Sequence, residues 1–178
     1  MQMLKQKAAR FFVQHKLKKS NFTNKSFSYA FKNSNSILVL MPEEDIDFKY
    51  SREILVFLEK LKKEILILTN EYRVSLLPLN FRNKALGHGL KEINKIDLPS
   101  KVLLSKLLKK KYDVVLDLNR QEQLFYTYVS AVINAAVSIG FAKSYADKVY
   151  NIQIANSEIN PKISYENLLN CLKMLQEF

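Results

Sequence analysis

The sequence predicts an α/β chain built on a single doubly wound parallel sheet of about six strands, with helices on both faces. Three observations carry that reading. Short apolar runs recur along the chain: "ILVLMP" at 37–42, "ILILTN" at 65–70 and "YDVVLDLN" at 112–119. They are continuous rather than alternating, as in strands covered on both sides. Stretches with helical spacing separate them, and alternating strands and helices imply parallel strands joined by right-handed crossovers. With 178 residues, 48% hydrophobic, the chain is long enough for a real core, and three glycines and four prolines are too few for a disordered chain.

The elements follow in order. Residues 1–19 have helical spacing, with Leu4, Ala8, Phe11, Phe12 and His15 forming one stripe among lysines. Residues 20–35, rich in Ser, Asn, Lys and Phe, read as a linker arm, so that 1–35 stands before a domain spanning 36–178. The run 37–42 is the first strand. A helix over 51–64 follows, with Ser51 as its N-cap and Ile54, Leu55, Leu58 and Leu61 on one face. After the strand at 65–70, "EYRVSLLPLN" begins a short helix that Pro78 stops, and "INKIDLP" at 93–99 is the third strand. Ser100 caps a helix ending in lysines, which suits the helix dipole. The strand at 112–119, a long apolar helix at 121–136 and strands at 137–141 and 147–154 come next. A last helix turns Ile163, Leu168, Leu172 and Leu175 inward. The expected strand order is 3-2-1-4-5-6, with Val39, Val115 and Leu116 buried.

Charge narrows the partners. The net charge is +11, and no acidic residue occurs from Met1 to Met41, where Lys5, Lys7, Arg10, Lys16, Lys18, Lys19, Lys25 and Lys32 lie. Lys101, Lys106, Lys109, Lys110 and Lys111 form a second cluster. Such an excess suits phosphate-rich surfaces or a plain solvated face. The stripe at 1–19 has two destinations: the domain itself, or an anionic membrane reached by Lys5, Lys7, Arg10, Lys16, Lys18 and Lys19. No apolar stretch approaches the ~20 residues of a membrane span, and no secretory signal is visible. Cys171 is the only cysteine, so no internal disulfide and no cysteine-based metal cluster is expected, and no cofactor is implied. His88 sits in "GHG" at 87–89, read as following no strand and therefore as no phosphate cradle.

The acidic run Glu43, Glu44, Asp45 and Asp47 follows the first strand, where ligands of open α/β sheets bind. It is either a solvated turn or the remnant of a site; with Asn119 and Arg120 after the strand at 112–119, Glu43, Glu44 and Asp45 make the candidate ligand pocket.

Three segments resemble the N-terminal, acceptor-side domain of the family 9 glycosyltransferases, the heptosyltransferase-like enzymes of bacterial lipopolysaccharide assembly. "ILVLMPEEDID" resembles that family's opening strand and loop. "LLKKKYDVVLDLN" resembles its Tyr-Asp-hydrophobic-Asp-Leu-Gln strand, through Tyr112, Asp113, Asp117, Leu118 and Asn119. "VSIGF" resembles its Ile-Gly-Phe strand, through Ile139, Gly140 and Phe141. The resemblance covers about 37–178 and implies a Rossmann-like domain of the GT-B fold. It places the family's proposed general base on Asp47. The sequence departs from the pattern where Ile46 replaces the preceding glycine and Glu53 replaces a proline.

The resemblance also implies a donor domain after the last helix, and the sequence ends there. The expectation is therefore a non-catalytic, pseudoenzyme-like binding or assembly module of envelope polysaccharide synthesis. It would be cytoplasmic and peripheral at the inner membrane face. The alternative is the acceptor half of a split glycosyltransferase, meeting a donor-domain chain or a second copy through the C-terminal helix. Third is a basic nucleic-acid binder, which lacks a recognition-helix or RNP-like motif.

Overall fold

The computed structural model describes residues 2–17, 27–155 and 157–177. Six parallel strands form one sheet: β1 Ser36–Leu40, β2 Glu64–Asn70, β3 Ala85–His88, β4 Val114–Asp117, β5 Val137–Phe141 and β6 Ile152–Ile154, in the order β3-β2-β1-β4-β5-β6. β1 lies at the centre, with Val39 level with Ile67 of β2 and Leu116 of β4. The doubly wound fold and its strand order are as the sequence predicts, and Val39, Val115 and Leu116 are fully buried.

Side-chain alternation divides the core in two. Ile37, Val39, Val114, Leu116 and Ile139 face α3 (Asp45–Lys60) and α9 (Pro161–Glu177), joined by Phe31 of α2 (Phe27–Lys32) and Phe81 of α5 (Leu79–Arg82). Leu38, Leu40, Leu68 and Val115 face α6 (Lys101–Leu107) and α7 (Leu124–Ile133). Beyond α7 lies an extra layer. Ala9 and Val13 of α1 (Gln2–Leu17) pack with Ala131 of α7 and with Ala146 and Val149 of α8 (Ala146–Val149). The remaining helix, α4, is the short turn Glu71–Val74.

Several elements differ from the expectation, each for a local reason. The third strand is β3, not 93–99. Asn94 Oδ1 accepts from the backbone N–H groups of Ile96 and Leu98, and Asp97 takes a left-handed φ of 61°, so this segment folds back on itself. Only an isolated antiparallel bridge joins Ile93 to Pro99. Gly87, a weak strand former by propensity, is needed inside β3: a Cβ there would lie 2.9 Å from the Glu71 Cα, where α4 crosses. "GHG" thus does end a strand.

Helix α3 starts at Asp45, six residues before the expected cap. Asp45 and Asp47 occupy its first turn, where negative charge is favoured, and Ser51 is buried mid-helix with its hydroxyl donating to the Phe48 carbonyl. The segment 147–154 is half helix, α8, and half strand, β6. In the expected linker, Phe27–Lys32 is helical because Phe31 buries in the core, and the Lys63 ammonium donates to the Phe31, Lys32 and Ser34 carbonyls at 3.1, 2.9 and 2.7 Å. Residues 18–26, with Lys18, Lys19 and Lys25, lie outside the described residues. On α9 Leu168, Leu172 and Leu175 pack on the core as expected, joined by Ser164 and Tyr165; Ile163 is exposed instead.

One close contact joins the sheet to the polar cluster described below. The Tyr150 ring lies flat on Gly140, so a Cβ at Gly140 would come within 2.9 Å of ring carbons. Gly140→Ala is expected to displace Tyr150 and cost about 1–3 kcal/mol in urea denaturation. A loss below about 0.5 kcal/mol would mean that the ring moves aside freely.

Candidate functional site

The chain reverses winding direction between β1 and β4, so the two segments leaving these strands diverge and open a crevice at the carboxyl edge of the sheet. Asp117 ends β4 and is fully buried. Its Oδ1 accepts from the backbone N–H and the side-chain amide of Asn119, at 2.9 and 2.7 Å. Its Oδ2 accepts from the Lys143 ammonium at 2.7 Å and from the Tyr150 hydroxyl. Burial and the Asp117 charge hold the Tyr150 phenol well above its ordinary range, so it stays a donor. Asn119 then reaches across to the exit of β1: its amide donates to the Met41 carbonyl at 3.3 Å, and its Oδ1 accepts from the Glu43 N–H at 3.2 Å.

The acidic run splits into different environments. Glu44 and Asp45 are exposed, and Asp45 pairs with Arg73 at 2.8 Å. Arg73 itself is buried; it also donates to the Glu43 carbonyl and lies 4.9 Å over the Phe48 ring. Asp47 is only 3% exposed, with Arg120 at 3.4 Å from Oδ1. Arg120 is buried too and donates to the Glu158 carbonyl at 2.7 Å. Burial raises the Asp47 carboxyl above its ordinary range, and Arg120 offsets part of that rise. The candidate base Asp47 and the predicted pocket residues Arg120 and Asn119 are therefore buried and engaged, while Glu44 and Asp45 face outward. Only Glu43 lines open space.

That space is a cleft of about 360 Å³. Glu43 meets His88 from the end of β3, Glu122 to Phe125 from the start of α7, Ile93 and Asp97 from the folded-back segment, and Gln2, Gln6 and Arg10 from α1. Arg10 pairs with Glu122 at 3.7 Å, and Lys5 with Asp97 at 3.6 Å. His88 is 1% exposed and stacks on Phe125 with ring centres 4.4 Å apart, its Nε2 2.9 Å from the Tyr126 hydroxyl. Desolvation pushes its imidazole down from 6.5 to about 4, so the ring is neutral at physiological pH. Burial moves the Glu43 carboxyl upward, against the pull of Arg73.

Sequence reasoning missed His88 because the strand beneath it was not read, and missed Glu122 and Gln123 because they were read as part of a long apolar helix at 121–136, whereas α7 begins only at Leu124. Recognising "ALGH" as a strand would have put His88 at the sheet's carboxyl edge.

With this geometry in view, the comparisons with known proteins place the chain. The family DUF6913, described as a family of unknown function, matches residues 5–175. The chain belongs to that family. The match takes in α1 from Lys5 onward, so the helix that walls the cleft falls inside the family's span. No curated protein matches the chain. Among the described residues, no group of three or more His, Cys, Asp and Glu side chains could hold a metal, and no helix is long and apolar enough to cross a membrane.

Two variants examine the site. Arg120→Ala strands a buried carboxylate at Asp47 and is expected to cost about 3–5 kcal/mol; adding Asp47→Asn restores a large part of it in a double-mutant cycle. An unchanged loss in the double variant would show that Arg120 acts through its other contacts.

His88 supplies a pH signature. Its folded pKa lies below the unfolded value, so the unfolded chain binds the extra proton and stability falls as pH drops from 6.5 to about 4. His88→Phe is expected to flatten that part of the stability profile; an identical slope would place the titrating group elsewhere.

Proposed function

We propose that this chain is a non-catalytic binding module that works at an anionic membrane surface. In this reading it is a relative of the acceptor-side domain of the family 9 glycosyltransferases, serving envelope polysaccharide synthesis by holding a ligand rather than transforming it. One observation carries the non-catalytic part. The cleft at the switch point is open, while Asp47, the residue matching the general base, is closed off beneath Arg120. A general base needs hydrogen-bond reach to the proton it removes, and a carboxylate covered in this way lacks it.

The membrane part rests on the two faces of α1. Ala9 and Val13 pack against the domain, with small side chains that allow close approach. The opposite face carries Leu4, 73% exposed, Phe11, 66% exposed, and Phe12, 51% exposed. The large apolar residues of the predicted stripe therefore face outward while Ala8 is half-buried, and Lys7 lies one turn from both Leu4 and Phe11. Two aromatic rings beside lysines, on a helix without an acidic residue, suit the headgroup region of an anionic bilayer. Each basic residue near such a surface contributes ~1 kcal/mol. Lys5 and Arg10 are partly committed to Asp97 and Glu122, which leaves Lys7 and Lys16 as the described contributors.

Co-sedimentation with vesicles containing phosphatidylglycerol tests this. Binding is expected at low salt and should weaken as salt screens it. Phe11→Ala with Phe12→Ala is expected to lower it about tenfold without lowering the melting temperature, since neither ring is buried. Equal retention of the double variant and the parent would sink the membrane reading. Turnover of nucleotide sugars that Asp47→Asn abolishes would sink the non-catalytic one.

A further inference from the structure

The cleft contains two polar atoms that the protein itself leaves unanswered. His88 Nδ1 and Glu122 Oε1 are buried without a hydrogen-bond partner among the described residues, and both residues line the cleft. An orphaned carboxylate oxygen costs more than an orphaned neutral group. Arg10 does not remove that cost, since it stands 3.7 Å from the other Glu122 oxygen. Glu43 brings a second carboxylate to the lining from a separate element, the exit of β1. The site is thus rich in acceptors, although the chain as a whole carries a net charge of +11.

We propose that the cleft takes a primary ammonium group, whose three N–H donors go to Glu122 Oε1, the Glu43 carboxylate and His88 Nδ1. The inference rests on reading the cleft as the module's binding site. A primary ammonium offers three donors and no acceptor, which matches three acceptors on three separate elements. His88 Nε2 lies 2.9 Å from the Tyr126 hydroxyl, a contact that either tautomer makes; the ammonium selects the neutral tautomer with its proton on Nε2, which turns the Nδ1 lone pair to the ligand. Tyr126 and the stacked Phe125 hold the imidazole in place. Anions are disfavoured, because they would meet two carboxylates and a lone pair. Two sources present this chemistry: a small soluble amine, or the ethanolamine headgroup of a phospholipid in the surface on which α1 docks.

The test is a titration of the ¹⁵N-labelled full chain near neutral pH with ethanolamine, with glycerol as the hydroxyl control and acetate as the anion control. Ethanolamine alone is expected to shift the amides of His88 and Gln123 to Phe125. Glu122→Gln, which keeps the shape and removes the charge, should weaken its binding about tenfold, the loss of one charge-assisted hydrogen bond. Its melting temperature should change little, because the half-exposed Arg10 contact at 3.7 Å contributes little and an unanswered buried oxygen loses its charge. Equal shifts with acetate, or unchanged affinity in Glu122→Gln, overturn the ammonium assignment. Shifts with glycerol but not ethanolamine overturn it and leave the cleft a binding site; no shift with any probe overturns both readings. Vesicles of one anionic charge, with and without phosphatidylethanolamine, separate the sources. Tighter binding with that lipid in the parent but not in Glu122→Gln assigns the headgroup, and equal binding assigns a soluble amine.

Discussion

A carboxylate that water cannot reach has to be answered by the protein around it, and Asp117 sets that condition for this fold. Its two oxygens draw in Asn119, Lys143 and Tyr150, which come from the exit of β4, the exit of β5 and the turn into β6. Asn119 extends the network to the exit of β1. Four separate parts of the chain are thus tied at the carboxyl edge of the sheet, where the two winding directions part. A buried ion pair of this kind is weak evidence for stability by itself, because desolvation consumes much of the attraction. What it supplies is position: the Glu43 backbone is held relative to β4, so the wall of the cleft is fixed before any ligand arrives.

The same edge shows how neighbouring acids divide their roles. Asp45 is drawn outward to Arg73, Asp47 is covered by Arg120, and Glu43 is left at the cleft. All three lie within five residues, and their fates are set by where two arginines from distant elements, Arg73 and Arg120, arrive. Local sequence holds no record of that. The strands, by contrast, were legible, because β1, β2 and β4 carry continuous runs of large aliphatic residues whose burial on both faces follows from composition alone. β3 was not, since its glycine answers a crossing helix, and 93–99 misled because its apolar residues flank an Asx turn rather than a strand. The start of α3 was hidden for a related reason: acidic residues after a strand read as a loop, yet they are also what a helix N-terminus favours. For the candidate site, the acidic run and the strand exits pointed to the edge of the sheet where the cleft lies. The residues that line its open part, His88 and Glu122 among them, come from elements whose placement depends on packing.

Charge and surface sit unevenly on this molecule. The basic excess lies outside and the acceptors lie within the cleft, with α1 between the two. Its small residues face the domain, its polar edge of Gln2, Gln6 and Arg10 faces the cleft, and its large apolar residues face away. A helix with three assignments tolerates few substitutions, and each face constrains the length and register of the others.

The outer layer also has a consequence in time. Ala9 and Val13 pack against Ala131, Ala146 and Val149, partners that follow more than a hundred residues later in the chain. At synthesis rates of about 5–20 residues per second, on the order of ten seconds separates the emergence of α1 from that of α7. During that interval both apolar faces of the helix are uncovered while the ribosome is still at work. The nascent chain therefore carries this helix with both apolar faces open to its surroundings before the domain that will half-cover it exists.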